Sequence, residues 1–102
     1  MAKTRILFVD DEPNVLDGLQ RMLRRNRDEW EMVFASSGSE ALTRLAEAPC
    51  DVIVTDMKMP GMSGTELLEQ VVKLYPGVAR IVLSGHIDEA NTTNLVKLAH
   101  QF

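Results

Sequence analysis

Four short apolar runs divide the chain: Ile6 to Val9, Trp30 to Ala35, Val52 to Thr55 and Arg80 to Leu83. Runs of this length predict strands, and Ile6 to Val9, continuous and with β-branched and aromatic members, suits a strand buried on both faces. Between them the apolar positions recur at helical spacing. Val15, Leu16, Leu19, Met22 and Leu23 predict an amphipathic helix over 13–26. Pro13 suits its first position, where a missing N–H costs nothing. After a turn at Ser36 to Gly38, with Ser39 as the expected N-cap, Ala41, Leu42, Leu45 and Ala46 mark a second helix that Pro49 stops. Beyond the Pro60-Gly61 turn, Leu67, Leu68, Val71 and Val72 mark a third helix over 64–75, ended by Pro76-Gly77. A fourth helix is expected over 88–101 through Leu95, Val96 and Ala99. Its Asn91-Thr92-Thr93-Asn94 run, whose side chains compete for backbone hydrogen bonds, predicts less rigidity there.

Strands alternating with helices are βαβ units. They predict an α/β fold, a doubly wound parallel sheet with helices on both faces. Ligands of such sheets sit outside the carboxyl ends of the strands, where the strand order switches. Asp10, Asp11, Asp56 and Ser84 all stand at such ends. The whole chain, 1–102, is read as one domain. Its net charge of −4 argues against direct nucleic-acid binding, which needs clustered cations. Arg21, Arg24, Arg25 and Arg27 read as helix-end charge and a solvated face. Cys50 is the only cysteine, so no internal disulfide forms. The apolar start is too short for a signal-peptide core and no segment approaches a membrane span, which makes the cytoplasm the expected compartment.

Three gathered carboxylates repel one another, so at least one is expected to hold its proton more tightly than usual. A Mg²⁺ ion relieves this, because it prefers a few carboxylates, water and phosphate oxygens. Asp56 beside such an ion is a poor general base but a competent nucleophile toward phosphorus. The metal would then offset charge on the transferring phosphoryl oxygens. The hydroxyl of Ser84, one strand over, is placed to donate to one of them.

These residues resemble the receiver domain of two-component response regulators. The likeness rests on Asp10-Asp11 after the first strand, Glu12-Pro13 opening the first helix, the stretch Asp56-Met57-Lys58-Met59-Pro60-Gly61-Met62-Ser63-Gly64, and Ser84-Gly85 after the fourth strand. The resemblance implies a flavodoxin-like receiver fold with strand order 2-1-3-4 and then a fifth strand. It makes Asp56 the phosphoacceptor and Ser84 the switch hydroxyl. It gives Mg²⁺ to Asp11, Asp56 and the Lys58 carbonyl, with Asp10 acting mainly through water. The partner it implies is a sensor histidine kinase or histidine phosphotransfer protein. The output it implies is a domain or partner outside this chain, regulated through a conformational switch. Lys58 and His86 fall at positions that flank the phosphoryl group, where they are expected to set its hydrolysis rate.

The sequence departs from the family pattern at its end. A fifth strand and helix are missing, and with them the lysine of a Lys-Pro pair; Lys97 and Lys58 are wrongly placed to replace it. Phe102 stands where the fifth strand would begin. The expectation is a C-terminally incomplete receiver with apolar surface uncovered on the side of the first and fourth strands, an open edge at the fourth strand, and possible dimerisation as compensation. Two rival readings remain. One is a phosphorylation-independent interaction module of receiver fold. The other is a Mg²⁺-dependent phosphohydrolase with Asp10 as nucleophile, although Glu12 then stands where such enzymes carry an aspartate and no cap insertion selects a substrate.

Overall fold

In the computed structural model, which describes residues 3–57 and 59–83, the apolar runs form one parallel sheet. The strands are β1 (Thr4–Val9), β2 (Trp30–Ala35), β3 (Val52–Asp56) and β4 (Ala79–Leu83), in the order β2-β1-β3-β4. The helices are α1 (Pro13–Met22), α2 (Gly38–Glu47) and α3 (Gly64–Leu74). The expected fourth helix, Ser84, His86 and Phe102 lie outside the described residues, as does Lys58.

The sheet register explains why β1 starts two residues before its apolar run. Thr4 and Arg5 pair with Trp30 and Glu31 of β2, and the Arg5 guanidinium meets Glu31 at 3.0 Å. At the same end Asp51 closes the sheet's base. Its carboxylate accepts from the Arg5 N–H at 2.8 Å, its N–H donates to the Arg5 carbonyl at 2.8 Å, and its carbonyl accepts from the Ala79 N–H at 2.9 Å. At the other end β1 and β3 finish side by side, with Val9 opposite Thr55. The sequence strands before Asp10 and at Asp56 therefore end together.

Two apolar layers cover the two faces. On one, Leu19 and Leu23 pack with Ile6, Phe8, Val52, Val54 and Trp30. On the other, Ala41 and Leu45 of α2 and Leu67 and Val71 of α3 pack with Leu7, Val9, Ile53 and Cys50. Phe8 and Phe34 stack at 5.4 Å between centroids, which ties β2 to β1. The uncovered apolar surface expected beside β1 is not found there: Ile6 and Phe8 are buried, packed with Leu19 of α1 and with Leu23 just beyond its end. Half-buried on that face are Ala79 and Ile81 of β4, and Met32 and Phe34 of β2.

Two helix boundaries differ from the periodicity. The helix expected over 13–26 is α-helical only to Met22; Leu23 leaves helical geometry at φ −98°, ψ 8°, and Arg24–Asn26 tighten into a 3₁₀ turn. The Leu23 N–H still bonds to the Leu19 carbonyl at 2.9 Å, which keeps Leu23 in the core while the chain turns toward β2. The N-cap of α2 is Ser37, not Ser39. Its hydroxyl accepts from the Glu40 N–H at 3.1 Å, the spacing a cap requires, and the helix begins at Gly38. Ser39 already lies inside it.

Among the described residues no helix is long and apolar enough to cross a membrane.

Candidate metal centre

The acid cluster is built by two strand ends. Asp10 follows the last residue of β1 and is 5% exposed. Its N–H donates to the Ala35 carbonyl at 3.1 Å, so it extends the β1–β2 ladder by one bond. Its Oδ1 accepts from the Glu12 N–H at 2.9 Å, an Asp-headed turn that swings the chain into α1. Asp11 and Glu12 precede Pro13, and the first turn of α1 contains no acidic residue. Asp56 is the last residue of β3 and half-buried, as is Asp11.

The three side chains converge. Each of Asp10, Asp11 and Asp56 offers a carboxylate oxygen, and these oxygens lie within 4.8 Å of one another. Burial pushes the Asp10 carboxyl above the usual aspartate range. The Glu12 N–H pulls it partly back, while the charges of Asp56, Asp11 and Glu12 push it up further. Mutual repulsion was the cause expected from the sequence; loss of water around Asp10 is the larger one. The set fits a small divalent cation: all donors are hard oxygens, their spacing is close to the roughly 3–4 Å between neighbouring and opposite ligands of an octahedral Mg²⁺, and added positive charge would offset the strain on Asp10. Ser84 and Lys58, the other predicted site residues, lie outside the described residues.

The loop after Asp56 is held from several sides. The Thr55 hydroxyl, fully buried, donates to the Asp56 carbonyl at 3.0 Å. Gly61 takes a left-handed φ of +76°, which a side chain would resist. Ser63 caps α3 in a reciprocal box with Glu66, a Ser-x-x-Glu signal present in the sequence but not used there. Gly64 closes the loop: its N–H donates to the Met57 carbonyl at 2.9 Å. A Cβ on Gly64 would run into the Asp56 carbonyl oxygen and lie 2.8 Å from the Met57 Cα. Gly64 is thus required for the close approach of α3 to the acid-bearing strand end. Sequence reasoning quoted it within a motif and gave it no role.

A groove of about 860 Å³ lies elsewhere. Arg21, Arg24 and Arg27 rim it beside Trp30, Met32 and Phe34, and none of the three clustered acids lines it. A smaller groove of about 440 Å³ lies on the loop itself, lined by Met57, Met59, Pro60 and Ser63.

Residues 6–101 match the family described as response regulator receiver domain. The chain belongs to that family. As a receiver it is 40% identical over 83 residues to the hydrogenase transcriptional regulatory protein HoxA of Cupriavidus necator, a match covering 81% of this chain and 17% of the relative. It is 30% identical over 95 residues to the transcriptional regulatory protein DegU of Brevibacillus brevis, covering 93% of this chain and 40% of the relative. The receiver therefore spans less than half the length of these curated relatives. Among solved structures it is similar to a two component transcriptional regulator AraC from Clostridium phytofermentans, with TM-score 0.85, 30% identity, and coverage of 97% of this chain and 93% of that one. A response regulator receiver domain protein from Clostridium thermocellum gives TM-score 0.73 and 37% identity, covering 94% and 76%. Receivers bind Mg²⁺ in an acidic pocket, and the acid cluster of this receiver is Asp10, Asp11 and Asp56.

Proposed function

We propose that this receiver accepts a phosphoryl group on Asp56 in a Mg²⁺-dependent reaction. The observation that carries the reading is the convergence of three carboxylates from the ends of β1 and β3. Asp10, Asp11 and Asp56, with the Lys58 carbonyl, would hold the cation. When bound, the ion supplies positive charge against the phosphoryl oxygens as they approach the carboxylates.

The chain's residues divide the work. An Asp56 carboxylate oxygen attacks phosphorus, the N–P bond of a donor phosphohistidine breaks, and the imidazole leaves with that electron pair. Asp56 remains as the aspartyl phosphate. The Ser84 hydroxyl donates to a phosphoryl oxygen and couples the modification to a change of conformation. Asp10 is poorly suited to be the nucleophile: it is buried, one oxygen is engaged by the Glu12 N–H, and its carboxyl is held above its usual range. This supports Asp56 as acceptor over a phosphohydrolase working through Asp10. The protein is read as a signalling acceptor that assists its own phosphorylation and dephosphorylation only. Its donor is a sensor histidine kinase or phosphotransfer protein, its compartment the cytoplasm, and its output a domain or partner beyond these residues.

Incubation with Mg²⁺ and a small acyl phosphate, followed by intact-mass measurement, tests this. The expected result is a gain of one phosphoryl group that chelation of the metal and Asp56→Asn each abolish. Equal gain by Asp56→Asn would sink the assignment. Cation binding with no phosphoryl gain would favour the phosphorylation-independent module.

A further inference from the structure

Gly38 has no conformational reason to be glycine. It is the first residue of α2, and among the described residues only Gly61 has a positive φ. Alanine ordinarily favours a helix over glycine by about 1 kcal/mol. The reason for glycine is space. A Cβ on Gly38 would stand 2.8 Å from the Met62 Sδ, 2.9 Å from its Cβ and 3.0 Å from its Cγ. A flexible thioether tip can swing aside, but a Cβ moves only with its own backbone. Any side chain at position 38 therefore pushes on the main chain of residue 62.

That main chain has little freedom. Gly61 on one side is in its left-handed turn, and Ser63 on the other is the cap of α3, with its N–H on Glu66 Oε1 at 3.3 Å. The next link is the Gly64 N–H on the Met57 carbonyl, directly under the Asp56 carbonyl. Met62 itself packs against the core on the α2–α3 face. A displacement at Met62 is thus passed to the loop closure beside Asp56 rather than lost in a mobile tip.

We infer that Gly38 is a positioning residue for the acid cluster, acting through Met62 on the loop that follows Asp56. The start of α2 is the surface against which that loop is set. The inference rests on the reading of Asp10, Asp11 and Asp56 as a Mg²⁺ site.

The test is a double-mutant cycle on Mg²⁺ affinity, measured by calorimetry at a temperature where every variant is folded, together with amide chemical shifts. Gly38→Ala is expected to weaken Mg²⁺ binding roughly tenfold, the scale seen when groups that support metal ligands are disturbed, and to shift the Met57 and Gly64 amide signals. In a Met62→Gly background, which removes all three contacts, Gly38→Ala is expected to change the affinity little. A merely structural role would lower thermal stability and leave the affinity and those two amides unmoved. Wild-type binding matched by Gly38→Ala, or an equal loss in the Met62→Gly background, overturns the positioning role alone. A wild-type protein that takes up no Mg²⁺ overturns the site reading and this inference with it.

Discussion

Asp10 is held in a place that disfavours its charge. Its carboxyl is raised, first by burial, so the folded state keeps the proton more tightly than the unfolded chain, whose aspartates titrate near 3.9. As pH rises from about 4 through the raised value, the unfolded chain loses its proton first and gains relative stability. The metal-free protein should therefore lose stability across that window and carry the full deficit above it. Asp10→Asn removes the deficit and keeps an oxygen for the Glu12 N–H. In chelator at pH 7 its urea midpoint should exceed the wild type's, while saturating Mg²⁺ should reverse the order. At this scale the sequence is readable where chemistry sits on a strand end, because Asp10-Asp11 and Asp56 each close an apolar run. Gly64 and Gly38 are not readable in this way, because each is defined by a close approach across the fold. Gly38 and Met62 are distant in the chain, and no local pattern marks their contact.

The helices and strands show which local signals compete. Parallel strands buried on both faces appear in the sequence as unbroken apolar runs, as in β1 and β3, whereas the edge strand β2 matches its predicted bounds although Glu31 interrupts the run and is exposed. The start of α2 was misplaced because Ser37 and Ser39 are both capping residue types. The decision is made by Glu40, whose N–H reaches Ser37 and whose carboxylate turns back to Ser36. The Ser36 N–H, then its hydroxyl, and the nearby Arg44 charge hold the Glu40 carboxyl below its usual range. A lowered value stabilises the fold above the unfolded value of about 4.3, and that contribution is lost as pH falls through the lowered one. Glu40→Gln should thus reduce the thermal midpoint at pH 7, by the equivalent of less than about 1 kcal/mol at so exposed a site. The gap to wild type should close below roughly pH 4. The end of α1 was equally hidden, since the apolar spacing continues through Leu23 although the helical geometry does not.

For the molecule as a whole, the family resemblance implies the strand order β2-β1-β3-β4, while alternation of strand and helix is enough to specify only that the sheet is parallel. What it could not supply was the spacing of the three acids, which depends on β1 and β3 ending side by side. A cation bound only by the folded state should stabilise the whole domain. At tenfold excess over its Kd the gain is about 1.4 kcal/mol, or roughly 6–11 °C in the melting midpoint of a domain this size. A melting series with added Mg²⁺ should show that rise, and Asp56→Asn should flatten it. β3 also has a reactive residue type at its other end, because Cys50 lies just before it, 7% exposed in the core. Burial pushes its thiol above the usual range, although Arg5 pulls it partly down. Thiolate, not thiol, reacts with alkylating agents, so native Cys50 is shielded by both access and protonation. Labelling then proceeds through opened molecules, and its rate reports how often the sheet comes apart. The same strand thus ends in the carboxylate we propose as the phosphoryl acceptor and keeps a thiol silent at its other end as an internal clock of unfolding, one that Mg²⁺ at the far end should slow.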